Sequence, residues 1–149
     1  MIALCPDCHA IKTRGRTRDE LRLVLLEAAR HHHYALLEQQ QQERTEMDDL
    51  ERRFNGAMVS IYETAKRELG YNATRFVQMI SEQGGLATAK QLLWSSAPSE
   101  GFTTLWERGR LDLTVEANVL KTEFAPLFGD ADRDQARDRL EAYGWRPVR

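Results

Sequence analysis

The chain has 149 residues, 42% of them apolar, which allows one core with an extended appendage rather than several domains. Its net charge of −2 excludes a protein that coats nucleic acid along its whole length, and no stretch approaches the roughly 18 apolar residues of a membrane span. Residues 1–4 are too short for a secretory leader and two cysteines cannot frame a disulfide scaffold, so a cytoplasmic location is expected.

Charge is unevenly spread. Residues 1–37 carry six basic and four acidic side chains, and every charge from Lys12 to Arg18 is positive. Residues 38–53 carry six acids against three bases. A basic head followed by an acidic stretch suits a terminal contact with a polyanion, and suits a salt-bridged, solvated surface equally well.

The head contains Cys5-Pro6-Asp7-Cys8-His9. Two thiolates at knuckle spacing with an imidazole beside them can hold half of a tetrahedral zinc site, which needs four ligands. The same C-x-x-C also fits a simple turn, whereas a thioredoxin-like role lacks the alternating strands and helices it requires. Residues 4–13, Leu4-Cys5-Pro6-Asp7-Cys8-His9-Ala10-Ile11-Lys12-Thr13, resemble the closing segment of an HNH endonuclease domain of the type with a structural zinc. The resemblance implies that Cys5 and Cys8 are the second zinc pair and that His9 is the terminal catalytic histidine, a ligand of a divalent metal. It also implies that Lys12, Arg14 and Arg16 lie near phosphate. The family's first C-x-x-C, general-base histidine and central asparagine would all precede Leu4, where three residues stand. Phosphodiester cleavage needs both a metal and a base to activate water. The head is therefore expected to be the end of a nuclease motif, incomplete alone, with Met1 either a late start or the edge of a domain kept for another use.

Residues 18–69 read as one very long helix. Apart from Gly56 they contain neither Gly nor Pro, and Thr17 with Glu20 has capping-box spacing. A seam runs through Leu26, Ala29, His33, Leu36, Gln40, Glu43, Met47, Leu50, Phe54, Ala57 and Ile61, three and four residues apart. Gln40 and Glu43 spoil its middle. Leu21, Leu25 and Ala28 widen the apolar face at one end, and Met58, Tyr62 and Ala65 at the other. Thr45 with Asp48 repeats the capping spacing, which makes a break near Thr45 the alternative to an unbroken rod of about 75–80 Å. Gly70 suits the terminator. Such a stripe must be covered by the tail, by a second copy, or by another protein. Consecutive helical residues point about 100° apart, so His31, His32 and His33 cannot converge on one ion. They read as solvated or seam-lining side chains.

The remainder reads as short helices. Asn72, within a sequon that would be inert in the cytoplasm, is expected to cap a helix bearing Phe76, Met79 and Ile80 that stops at Gly84-Gly85. Residues 87–94 form a second, and Pro98 opens a third carrying Phe102, Leu105 and Trp106. Leu113, Ala117, Leu120 and Phe124 fall at i, i+4, i+7 and i+11, which predicts one helix over 113–124. Asp130 or Asp132 begins a last helix ending at Gly144. Too short to stand alone, these helices must share a core, with Phe76, Trp94, Phe102, Trp106, Phe124, Phe128 and Trp145 as its bulk.

The stretches around Tyr71–Phe76, Gly101–Glu107 and Arg110–Glu116 are similar to helical segments of uncharacterised bacterial proteins, which implies a bacterial or phage source and no particular chemistry. Among their polar residues, Glu107 with Arg110 or Asp112 with Glu116 could form a site. An i, i+4 carboxylate pair would permit metal or acid–base work. Paired charges that orient the connections are the plainer reading.

The expected fold is all-α: a long N-terminal amphipathic helix, continuous or broken near Thr45, followed by a compact bundle of four to five short helices. The expected divisions are 1–17, 18–70 and 71–149. The leading functional expectation is an accessory nucleic-acid-associated module touching DNA phosphates through Lys12, Arg14, Arg16, Arg18 and Arg22. Its rival is an interaction scaffold that oligomerises, or binds a partner protein, through the long helix.

Overall fold

The computed structural model describes residues 17–146, whose regular elements are all helical, with no β-strand among the described residues. The elements are α1 (Arg18–Leu69), α2 (Thr74–Gln83), α3 (Gly85–Leu93) and α4 (Glu100–Glu107). A 3-10 turn (Leu111–Leu113), α5 (Val115–Val119), a second 3-10 segment (Thr122–Leu127) and α6 (Asp130–Ala142) complete the order. No described helix is long and apolar enough to cross a membrane. The chain divides into two compact units, Met1–Thr45 and Glu46–Arg149.

The ends of α1 follow local chemistry. The Thr17 hydroxyl accepts the Glu20 amide at 3.4 Å, and the Glu20 carboxylate accepts the Thr17 amide at 2.8 Å. This reciprocal box satisfies two amides that the helix cannot. Gly70 (φ +65°) ends the helix, its amide returning to the Lys66 carbonyl at 3.1 Å. The break near Thr45 does not occur, and α1 is continuous over 52 residues. The Thr45 hydroxyl instead donates back to the Gln41 carbonyl at 2.8 Å, so it bonds the preceding turn rather than capping the next.

In the first unit, every described side chain of α1 is exposed except the half-buried Leu21 and Val24. The second unit has a true core. Phe54 is fully buried with its ring edge-on to Phe124 and Phe128, at centroid distances of 5.0 and 5.1 Å. Met58, Ile80, Ala89, Leu93, Val115, Val119, Leu127 and Ala136 pack around it. A smaller cluster joins Ala65 to Leu105 and Leu113. Gly85 allows α3 to start against α1. The Asn55 carboxamide accepts its amide at 2.8 Å, and a Cβ there would sit 3.0 Å from the Asn55 backbone. Both α4 and α6 close with Schellman turns. Gly109 and Gly144 take φ of +67° and +86°, and the residue after each donates back to Leu105 and Leu140 respectively.

Several expectations about the tail are corrected. Asn72 does not cap α2, whose N-cap is Ala73 without a side-chain bond. The Asn72 side-chain carboxamide oxygen accepts the Tyr62 hydroxyl at 2.8 Å instead. Ser99, not Pro98, opens α4 by accepting the Phe102 amide. The single helix over 113–124 is three pieces. Thr114 caps α5 by accepting the Ala117 amide, and Pro126 belongs to the second 3-10 segment. Trp94 and Trp106 are 57% and 43% exposed, so they stand at the rim rather than in the core. Their indole N–H groups reach the Asp132 carboxylate and the Tyr143 carbonyl, the polar anchors that keep a tryptophan at a boundary.

Candidate functional site

Of the residues expected to carry function, Cys5, Cys8, His9, Lys12, Arg14 and Arg16 lie outside the described residues. Arg18 and Arg22 lie at the start of α1, both exposed. His31, His32 and His33 are exposed on the same helix, with the His31 ring 2.9 Å from the Glu27 carbonyl. Among the described residues, no group of three or more His, Cys, Asp or Glu could hold a metal ion.

The carboxylates of the tail are not brought together. Thr114 stands as a helix cap between Asp112 and Glu116, so the two do not share a helix. Asp112 receives a two-pronged contact from Arg110, with N···O distances of 3.0 and 3.1 Å, and the same guanidinium also donates to Glu68. That hydrogen bond holds Glu68 below the usual carboxylate range, and Asp112 first, then Glu68, keeps Arg110 firmly protonated. Arg108 donates to the Leu69 carbonyl at 3.1 Å. Two arginines thus stand at the C-terminal end of α1, where the helix dipole favours cations. Glu107 pairs with neither.

Glu116 faces Arg139, an interaction 23 residues apart in sequence that no local pattern announces. The pair is buried, with an N···O distance of 3.1 Å. Arg139 also donates to the carbonyls of Leu92 (2.8 Å), Leu93 (3.0 Å) and Ser95 (3.0 Å). These are the last carbonyls of α3 and the turn after it, which have no partner within the helix. Burial pushes the Glu116 carboxyl up, against the pull of its own backbone and of Arg139. Close by in sequence, the fully buried Asn118 carboxamide has no hydrogen-bond partner among the described residues. Such a group costs about 1–3 kcal/mol.

The second unit also contains a cleft of about 460 Å³. Ile61 and Ala65 of α1, Phe76 and Met79 of α2, and Phe102 and Leu105 of α4 supply its apolar lining, with Arg75, Glu100 and Tyr71 among its polar groups. Burial raises the Tyr71 phenol, helped by Glu100 and opposed by a hydrogen bond with Thr104. The serines are committed to structure: Ser95 donates to the Leu92 and Ala97 carbonyls, and Ser99 caps α4. Neither a histidine nor a cysteine is among the residues that line the cleft.

On α1, Leu23, Leu25, Leu26, Tyr34, Leu36, Leu37 and Met47 are between 42% and 63% exposed.

Two outcomes follow for the buried pair. Arg139→Met should cost about 3–5 kcal/mol in urea unfolding, because it strands a buried carboxylate. The double variant Glu116→Leu/Arg139→Met should recover only part of this, since the Ser95 carbonyl loses its donor while those of Leu92 and Leu93 keep the Ser95 hydroxyl and the Gln135 carboxamide; full recovery would show that the Arg139–carbonyl contacts contribute nothing. The pH dependence has a definite sign. A raised folded-state pKa means that the folded chain binds the Glu116 proton more readily than the unfolded chain. Wild type should therefore gain stability relative to Glu116→Gln as pH falls toward the ordinary carboxylate range. An unchanged difference in urea midpoints would contradict it.

Comparison with known protein families, with curated proteins and with solved structures finds no match for this chain.

Proposed function

We propose that this protein is a self-associating helical module that presents a basic head to nucleic acid, accessory to phosphodiester cleavage rather than sufficient for it. The observation that carries the reading is the bare apolar face of α1 between Leu23 and Met47. A lone helix gains little from its intrinsic propensity in water and owes most of its stability to packing of an apolar face. Within the described residues of the first unit, nothing covers that face. A second copy of the same helix supplies the needed surface at no cost in specificity.

The nucleic-acid part rests on composition and on the HNH resemblance of residues 4–13. The run Lys12, Arg14, Arg16, Arg18 and Arg22 contains five cations, and it suits contacts to phosphates that are blind to sequence. The donor set Cys5, Cys8 and His9 suits zinc at the two thiolates and a divalent metal at the imidazole, but each would need ligands from elsewhere. The base that activates water would also have to come from outside this set, so cleavage by this chain alone is not part of the proposal.

Sedimentation should give a mass above the 17.2 kDa of one chain, rising with concentration. The Leu25→Glu/Leu36→Glu variant should return it to the single-chain mass. A wild-type protein that remains a single chain at every concentration would remove the basis of the reading.

Duplex DNA should bind at low salt and dissociate as salt rises. Arg18→Glu/Arg22→Glu should reduce the slope of log affinity against log salt by about 2 while leaving the mass unchanged. Binding that ignores salt, or no binding at low salt, would eliminate the nucleic-acid part.

A further inference from the structure

We infer that the cleft of the second unit binds a small amphipathic zwitterion, a free α-amino acid with a large apolar side chain. Its volume of about 460 Å³ lies within the roughly 300–1,000 Å³ of small-molecule sites. Size argues against a protein ligand. An α-helix about 10 Å across fills roughly 420 Å³ in each turn, so the cleft would take about one turn. That is well short of the roughly 800 Å² per partner that a stable protein contact buries. The lining suits an apolar body. Phe102 and Leu105 are buried beneath it, while Ile61, Phe76 and Met79 are half-buried and keep apolar surface open to water. Covering that surface is favourable in proportion to its area.

Charge selects the head group. Arg75, in the first turn of α2, and Glu100, in the first turn of α4, both line the cleft. No ion pair joins them, and neither side chain has a hydrogen-bond or ion-pair partner among the described residues. Glu100 stands close to Tyr71. A Cβ on the neighbouring Gly101 would lie 3.5 Å from the Tyr71 hydroxyl oxygen, and the Glu100 charge acts on that phenol. An anion would be drawn to Arg75 and opposed by Glu100, and a cation would meet the reverse. An uncharged molecule would leave both charges without a partner. A carboxylate and an ammonium on one carbon answer both. The Arg75 guanidinium can donate to the carboxylate with two parallel N–H groups, and the ammonium donates to Glu100. The side chain then covers Ile61, Phe76 and Met79. A mouth carrying both signs thus selects a zwitterion over either singly charged analogue.

Calorimetric titration of the full-length protein with three probes tests this directly. L-phenylalanine carries both charges, hydrocinnamate lacks the ammonium, and phenethylamine lacks the carboxylate. L-phenylalanine should saturate a single site per chain, and each analogue should bind at least about threefold more weakly, the scale of a partly exposed ion pair. Arg75→Gln should weaken L-phenylalanine and hydrocinnamate and leave phenethylamine unchanged. Glu100→Gln should weaken L-phenylalanine and phenethylamine and leave hydrocinnamate no weaker. Both positions are exposed, and an unchanged helical circular dichroism signal would show that each variant keeps its fold. Either analogue binding as tightly as L-phenylalanine would overturn the zwitterion. So would wild type that shows no saturable binding of L-phenylalanine, or binding that ignores both substitutions. None of these results depends on the sedimented mass or on DNA, so the site and the function proposed above fail separately.

Discussion

The second unit depends on one guanidinium. Arg139, in the last turns of α6, meets three carbonyls at the end of α3 and the carboxylate of Glu116 on α5. The Ser95 carbonyl and the charged carboxylate would be costly to bury alone, while the Leu92 and Leu93 carbonyls also accept from the Ser95 hydroxyl and the Gln135 carboxamide. Together they satisfy a planar fork of donors that is always protonated. Three short helices, none long enough to persist in isolation, are thereby held at one point. The apolar core then closes beside it, with Leu93 at the end of α3 and Ala136 on α6 both buried in the cluster that receives Phe54.

What the sequence makes legible divides along a physical line. Helix ends set by neighbouring residues can be read directly: the Thr17–Glu20 box, Gly70 as terminator, and Gly109 and Gly144 at their Schellman turns. Partners distant in the chain cannot. The apolar spacing over 113–124 is real, but Thr114 offers a competing cap and the helix is divided around it. Asn72 has a side chain suited to capping, yet the Tyr62 hydroxyl reaches it first. The Glu116–Arg139 pair was invisible for the same reason: neither residue departs locally from an ordinary helix surface pattern. Tryptophan misleads differently. Its volume suggests the core, while its N–H needs a partner that Asp132 and Tyr143 supply at the rim.

The contrast within α1 shows why apolar content alone does not locate a core. Leu36 and Phe54 occupy comparable places in the seam, and one is 44% exposed while the other is 0%. The difference lies in what arrives from elsewhere in the chain. Around Phe54 the later helices contribute Phe124 and Phe128. The described neighbours of Leu36 within the first unit are themselves exposed.

That division of labour bears on chemistry. A phosphodiester-cleaving site needs a base with access to water and a centre that stabilises developing negative charge. Glu116 is buried against a cation, Asp112 is occupied by Arg110, and the two serines lining the cleft in the second unit, Ser95 and Ser99, are committed to a turn and a cap. Glu116 and Asp112 thus act in the second unit as the partners that hold its short helices and connections in place.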